Sequence, residues 1–118
     1  MTEGKLVRDL IPGSIRESGR QAEVQYLSGA DLAKALVAKL CEEAKEAADA
    51  VEKPESLLEE LADITEVMLA LMRLNGIRDH DVAQAAEVKA LQRGRFESGA
   101  FLASAGQEML RANMREDW

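Results

Sequence analysis

The sequence predicts an all-α fold, and three observations carry that prediction. Aromatic residues make up only 3% of the 118 positions while apolar residues make up 47%. A core must therefore be filled by Leu, Ala, Val, Ile and Met, a set that suits packed helices better than a β-sandwich. Proline occurs only twice, which leaves long stretches free of helix breakers. From Ala30 onward, apolar residues recur at three- and four-residue spacing, the period of a helix with one buried face. The expected architecture is an antiparallel helical bundle entered by a short irregular N-terminal segment. One chain offers two long helices and a third of moderate length. Completing the bundle core is expected to take a second copy, as a homodimer, with a tetramer as the other option.

The elements follow in order. Pro12 is expected to open a short helix that stops before Gly19. Ala22, Glu23, Val24, Gln25, Tyr26 and Leu27 alternate apolar and polar, the pattern of a short strand. Ser28 followed by Asp31 resembles a capping box with Asp in place of Glu. It predicts a helix from Ala30 to Glu52. Pro54 interrupts the chain, and a second helix is expected from Glu55 or Ser56 to Asn75-Gly76, a natural C-terminal stop. Asp79 is expected to cap a third helix that lasts to Gly94. Residues 103–118, with Met109, Leu110 and Met114, suit either a last helix or a frayed tail. A single domain spanning 1–118 is expected, with its core at about 4–102.

Charge and cysteine usage exclude several classes. Fifteen basic residues against 22 acidic ones give a net charge of −7, the wrong sign for a general binder of nucleic-acid polymers. No apolar run approaches the ~18 residues of a membrane span, and the N-terminus lacks the pattern of a signal peptide. Cys41 is the only cysteine, so no intramolecular disulfide forms and a cytoplasmic location is expected. A nucleotide substrate remains open, because carboxylates hold phosphate through Mg²⁺.

The carboxylates fall on unexpected faces. With Leu36 at zero on the first long helix, Leu32, Leu40, Ala47 and Ala50 form the core stripe, yet Glu43 lies ~20° from Leu36 and Glu46 ~80° away at the stripe's edge. On the second helix Leu57, Leu61, Ile64, Met68 and Leu71 form the stripe, with Glu60 between Val67 and Leu71 and Asp63 one step further out. Each helix thus offers two carboxylates at i and i+3 on one face. Glu46 and Glu43 lie 8 and 11 residues before Pro54, and Glu60 and Asp63 lie 6 and 9 after it. In an antiparallel hairpin the two pairs come opposite one another. Four carboxylates at an apolar seam must take up protons or bind cations. Oxygen-only ligands favour Mg²⁺ or Mn²⁺, with calcium also open although there is no EF-hand loop. A ferritin-type di-iron site would need Glu-x-x-His pairs, and the one histidine, His80, lies outside both motifs.

Glu42-Glu43-x-x-Glu46, thirteen residues, then Glu60-x-x-Asp63 resembles the EExxE…ExxD signature of the all-α nucleoside triphosphate pyrophosphohydrolases, the MazG-like superfamily. Lys5-Leu6-Val7-Arg8-Asp9 with Ile11-Pro12, and Lys89-x-x-x-Arg93-Gly94-x-Phe96 with Phe101-Leu102, resemble a small branch labelled phosphoribosyl-ATP pyrophosphohydrolase-like. Two positions depart from that branch: Leu10 stands where Lys commonly follows the Arg-Asp pair, and Arg95 stands where a second Gly is common.

The resemblance implies Mg²⁺-dependent hydrolysis of a nucleoside triphosphate to monophosphate and pyrophosphate, as in house-cleaning enzymes, with Mn²⁺ as a substitute ion. It implies Glu43, Glu46, Glu60 and Asp63 as metal ligands. Glu42 is expected to support them or to orient the attacking water. Lys89 and Arg93, at i and i+4, are expected to bind phosphate, and Gly94 to turn Phe96 back onto the core. Lys5, Arg8 and Asp9 are expected to contact nucleotide; the same residues also suit a salt-bridged strap that ties the N-terminus down. Cys41 and His80 are expected to be spectators, and Met68 and Met72 core filler. Two rival functions stay open: a phosphoribosyl-ATP pyrophosphohydrolase of histidine synthesis, and a catalytically idle helical dimer that binds nucleotide or protein.

Overall fold

The computed structural model describes residues 4–104. Four helices follow one another: α1 (Ile11–Glu17), α2 (Gly29–Asp49), α3 (Pro54–Leu74) and α4 (Asp79–Arg93). No strand occurs among the described residues, so the fold is all-α. The chain divides into two units, Met1–Ala83 and Gln84–Trp118.

The first unit is organised by the α2–α3 hairpin, whose helices pack on each other. The turn between them is made by the backbone. The Ala50 N–H donates to the Ala47 carbonyl at 3.1 Å, and the Lys53 N–H to the Ala50 carbonyl at 3.0 Å. Pro54 does not merely interrupt the chain but is itself the first residue of α3. A proline costs nothing there, because the first N–H of a helix has no intrahelical partner. α3 ends in a Schellman motif: the Ile77 N–H donates to the Met72 carbonyl at 2.9 Å and the Gly76 N–H to Arg73 at 3.3 Å. This arrangement needs the left-handed backbone that Gly76 adopts at φ 66°.

The buried apolar residues among those described are Pro12 of α1 and Leu36, Ala50 and Val67 of the hairpin. Leu57, Ile64 and Leu71 are half-buried on α3, as expected of its stripe. Leu61 and Met68 are not: they remain 48% and 40% exposed, which corrects their expected place in the core. One partner helix covers only part of an apolar stripe that is ~100° wide. The uncovered part continues through Leu58, at 69% exposure.

Residues 22–27 form no strand. A strand needs a neighbour for its N–H and C=O groups. The alternation is still real as burial: Ala22, Val24 and Leu27 are half-buried while Glu23, Gln25 and Tyr26 face solvent. Arg16 of α1 ties the segment down, its Nη2 donating to the Ala22 carbonyl at 2.9 Å.

Two cap assignments also change. Ser28 occupies the N-cap of α2 with extended backbone, but its hydroxyl makes no cap bond. Asp31 contributes its charge to the first turn instead. At α4, Asp79 is already helical. Capping falls to Asp81, which accepts from the Arg78 backbone N–H at 3.4 Å and from its guanidinium at 3.0 and 3.1 Å. This is the reaching-back half of a capping box, and the Arg78 side-chain bond lowers the Asp81 pKa.

In the second unit α4 ends at Gly94, whose N–H donates to the Ala90 carbonyl at 2.8 Å. Arg95 turns back to Glu87, reaching both carboxylate oxygens at 2.9 and 3.0 Å. Phe96 does not return to a core: it is 91% exposed, because the turn after Gly94 is spent on the Arg95–Glu87 pair. The helix or tail expected at 103–118 lies, from residue 105, outside the described residues. No helix among those described is long and apolar enough to cross a membrane.

Candidate metal centre

The hairpin brings together the acids that its sequence places at an apolar seam. Glu43 projects from α2 directly under the packing line and is 5% exposed, the one buried charged residue among those described. Glu60 and Asp63 on α3 are half-buried opposite it. Oxygens of Glu43, Glu60 and Asp63 lie within 4.8 Å of one another, as do oxygens of Glu42, Glu43 and Glu46. Glu43 belongs to both groups, so it is the pivot of the site. Glu46 is exposed, yet its charge is among those that raise the Glu60 pKa.

Two protein cations neutralise the cluster from its flanks. Lys39 lies one turn before the acids. Its Nζ donates to Glu42 at 3.0 Å and pairs with Glu43 Oε2 at 3.3 Å. Burial works against the Lys39 charge, but the bonds to Glu42 and Glu43 outweigh it and raise the Lys39 pKa. The same contact, helped by the charge of Lys5, pulls the Glu42 pKa down. On the other flank, Arg8 Nη2 donates to Asp63 Oδ1 at 2.7 Å, a bond that raises the Arg8 pKa further. Both partners keep solvent access, with side chains 58% and 39% exposed, so the pair adds little to stability.

These cations leave the centre of the cluster unsatisfied. Glu43 Oε1 and Glu60 Oε1 are buried and have no hydrogen-bond partner. Desolvation first, then the charges of Glu46, Asp63 and Glu43, and last the hydrogen bond that a protonated Glu60 makes with the Glu43 carboxylate, push the Glu60 pKa up. Unpaired buried carboxylate oxygens are costly, and two of them on facing helices call for a proton, a water or a cation between them. An all-oxygen donor set of this kind fits a hard divalent cation. Beside it, towards the hairpin turn, Glu46, Asp49, Ala50, Lys53, Ser56 and Glu60 line an open cleft.

The remaining expected site residues are placed as follows. Lys5 is exposed but near enough to act on Glu42. Asp9 lies exposed in the turn before α1. Lys89 and Arg93 are exposed, one turn apart on α4, in the second unit. The Lys39 contacts were missed by the sequence reading. The signal was present, since Lys39 stands at i−3 and i−4 from Glu42 and Glu43. Cys41 and His80 are both exposed.

Residues 32–95 match the family model described as the MazG nucleotide pyrophosphohydrolase domain, more than half of the 118-residue chain. The chain belongs to that family. No curated protein and no solved structure was found to match it. The MazG match contains all five acids and both cations of α4. Lys5, Arg8 and Asp9 precede it, so the contact on Asp63 comes from outside the matched MazG domain.

Proposed function

We propose that this MazG-family chain hydrolyses nucleoside triphosphates, deoxynucleotides included, to monophosphate and pyrophosphate, with Mg²⁺ as cofactor and Mn²⁺ as a substitute. One observation carries the reading: two buried, unpaired carboxylate oxygens, from Glu43 and Glu60, at the seam of two helices. Glu43, Glu46, Glu60 and Asp63 would hold the ion. When bound, it would supply Lewis-acid stabilisation of phosphate charge and lower the pKa of water.

The chain's own residues do the rest. Water adds at the α-phosphorus, the bond to the bridging oxygen breaks, and that oxygen leaves with the pyrophosphate. Glu42, held by Lys39 in a contact that lowers its pKa, accepts a hydrogen bond from the attacking water and orients it. Lys89 and Arg93 bind phosphate oxygens, Arg as a fork and Lys as a point charge. Lys5, Arg8 and Asp9 contact the nucleotide from the N-terminal strap. A second copy covers the exposed ridge of Leu58, Leu61 and Met68 on α3, giving a homodimer. The cellular role is house-cleaning of surplus or altered nucleotides in the cytoplasm.

The test is product analysis in ¹⁸O-labelled water, with a panel of NTPs, dNTPs and altered nucleotides. The expected result is monophosphate carrying the label and unlabelled pyrophosphate, abolished by EDTA. Label in the pyrophosphate, or release of nucleoside diphosphate and inorganic phosphate, would contradict it. Turnover of phosphoribosyl-ATP alone would replace the substrate class.

A further inference from the structure

Arg8 holds a residue that the proposed reaction needs for its cation. Its Nη2 sits 2.7 Å from Asp63 Oδ1, and Asp63 shares a 4.8 Å cluster with Glu43 and Glu60. A guanidinium and a divalent ion at this cluster both draw on the one negative charge of the Asp63 carboxylate, so each weakens the hold of the other. Arg8 neutralises only the outer edge of the cluster, since the Glu43 and Glu60 oxygens at its centre remain unpaired. Glu43 is 95% removed from solvent, by its 5% exposure, so its unpaired oxygen points to a ligand that Arg8 does not replace. The Arg8–Asp63 pair is solvent-exposed and weak. A divalent ion held by several carboxylates has more charge to offer Asp63 than this one exposed guanidinium.

We propose that Arg8 exchanges partners: it pairs with Asp63 in the cation-free chain, and with a phosphate oxygen once a divalent cation has taken Asp63. Cation binding then precedes phosphate capture by the N-terminal strap. The exchange rests on the metal site proposed above. It adds an ordered role for a residue outside the matched family segment. The guanidinium fork suits both partners, because carboxylate and phosphate present similar pairs of oxygens.

Side-chain nitrogen NMR of the full-length chain reads the exchange directly. In the cation-free chain, rotation of the Arg8 guanidinium is hindered by the ion pair. Saturating Mg²⁺ is expected to release it, and inorganic pyrophosphate added on top to hinder it again. An Arg8 signal unchanged at Mg²⁺ saturation overturns the exchange while leaving the metal site standing. So does a signal that stays free after pyrophosphate. Absence of any Mg²⁺ binding overturns both the site and the exchange. As a second measurement, Arg8→Met is expected to bind Mn²⁺ several-fold more tightly than the wild type by calorimetry. Equal or weaker binding contradicts competition for Asp63.

Discussion

Glu43 concentrates the physics of this molecule in one side chain. It lies within the apolar stripe of α2, is buried, and has one oxygen on Lys39 and the other without a geometric partner. A fold keeps such a group at a stability cost, and function is where such costs are tolerated. Glu43→Gln removes the charge while keeping the shape. The variant is expected to melt at a higher temperature than the wild type in EDTA, to lose the rise in melting temperature that Mg²⁺ gives the wild type, and to lose ~100-fold or more in turnover. Calorimetric melts with and without Mg²⁺ check the first two, and a pyrophosphate assay the third. Lys39 was legible from its i, i+3 and i, i+4 spacing to Glu42 and Glu43, whereas Arg8 shows what the sequence hides at this scale. The acids were legible because two i, i+3 pairs lie on inward faces. That Arg8 reaches Asp63, 55 positions away, is a tertiary fact with no local signal.

Among the elements, periodicity located the helices well: α2, α3 and α4 begin and end within a few residues of their expected bounds. Pro54 and Gly76 were legible because each has a backbone reason to stand at a helix end. The strand expected over 22–27 was not formed, because alternation reports half-burial and an extended backbone but not a pairing partner. Ser28 marked the right position without making the bond. Two measurements belong here. Leu36→Ala, at a buried site of α2, should cost about 2–5 kcal/mol in urea unfolding at fixed protein concentration, with the slope unchanged. Asp81→Asn tests the α4 cap. Folding lowers the Asp81 pKa, so its stabilisation is present above the ordinary carboxylate range and is lost as pH falls through the lowered value. The variant should melt below the wild type at neutral pH, and the difference should vanish in acid.

The whole molecule is an α-helical MazG-family chain whose hairpin buries few apolar side chains and leaves a ridge of Leu58, Leu61 and Met68 open. The sequence stripe placed Leu61 and Met68 in the core, and the structure leaves them 48% and 40% exposed because one neighbouring helix does not cover the whole stripe. The proposed cover is a second copy of the chain. Leu61→Lys should halve the molecular mass seen by sedimentation at micromolar concentration, while a mass already monomeric for the wild type would contradict the dimer. The central claim is that the carboxylates of α2 and α3 hold a catalytic divalent cation. The most direct test is the rate of pyrophosphate release from a nucleoside triphosphate by one protein sample, followed with Mg²⁺, after EDTA, and after Mg²⁺ is restored, beside Glu43→Gln. Release is expected to stop with EDTA, to return with Mg²⁺, and to be absent in the variant. Release that survives EDTA, or a variant as active as the wild type, would contradict it.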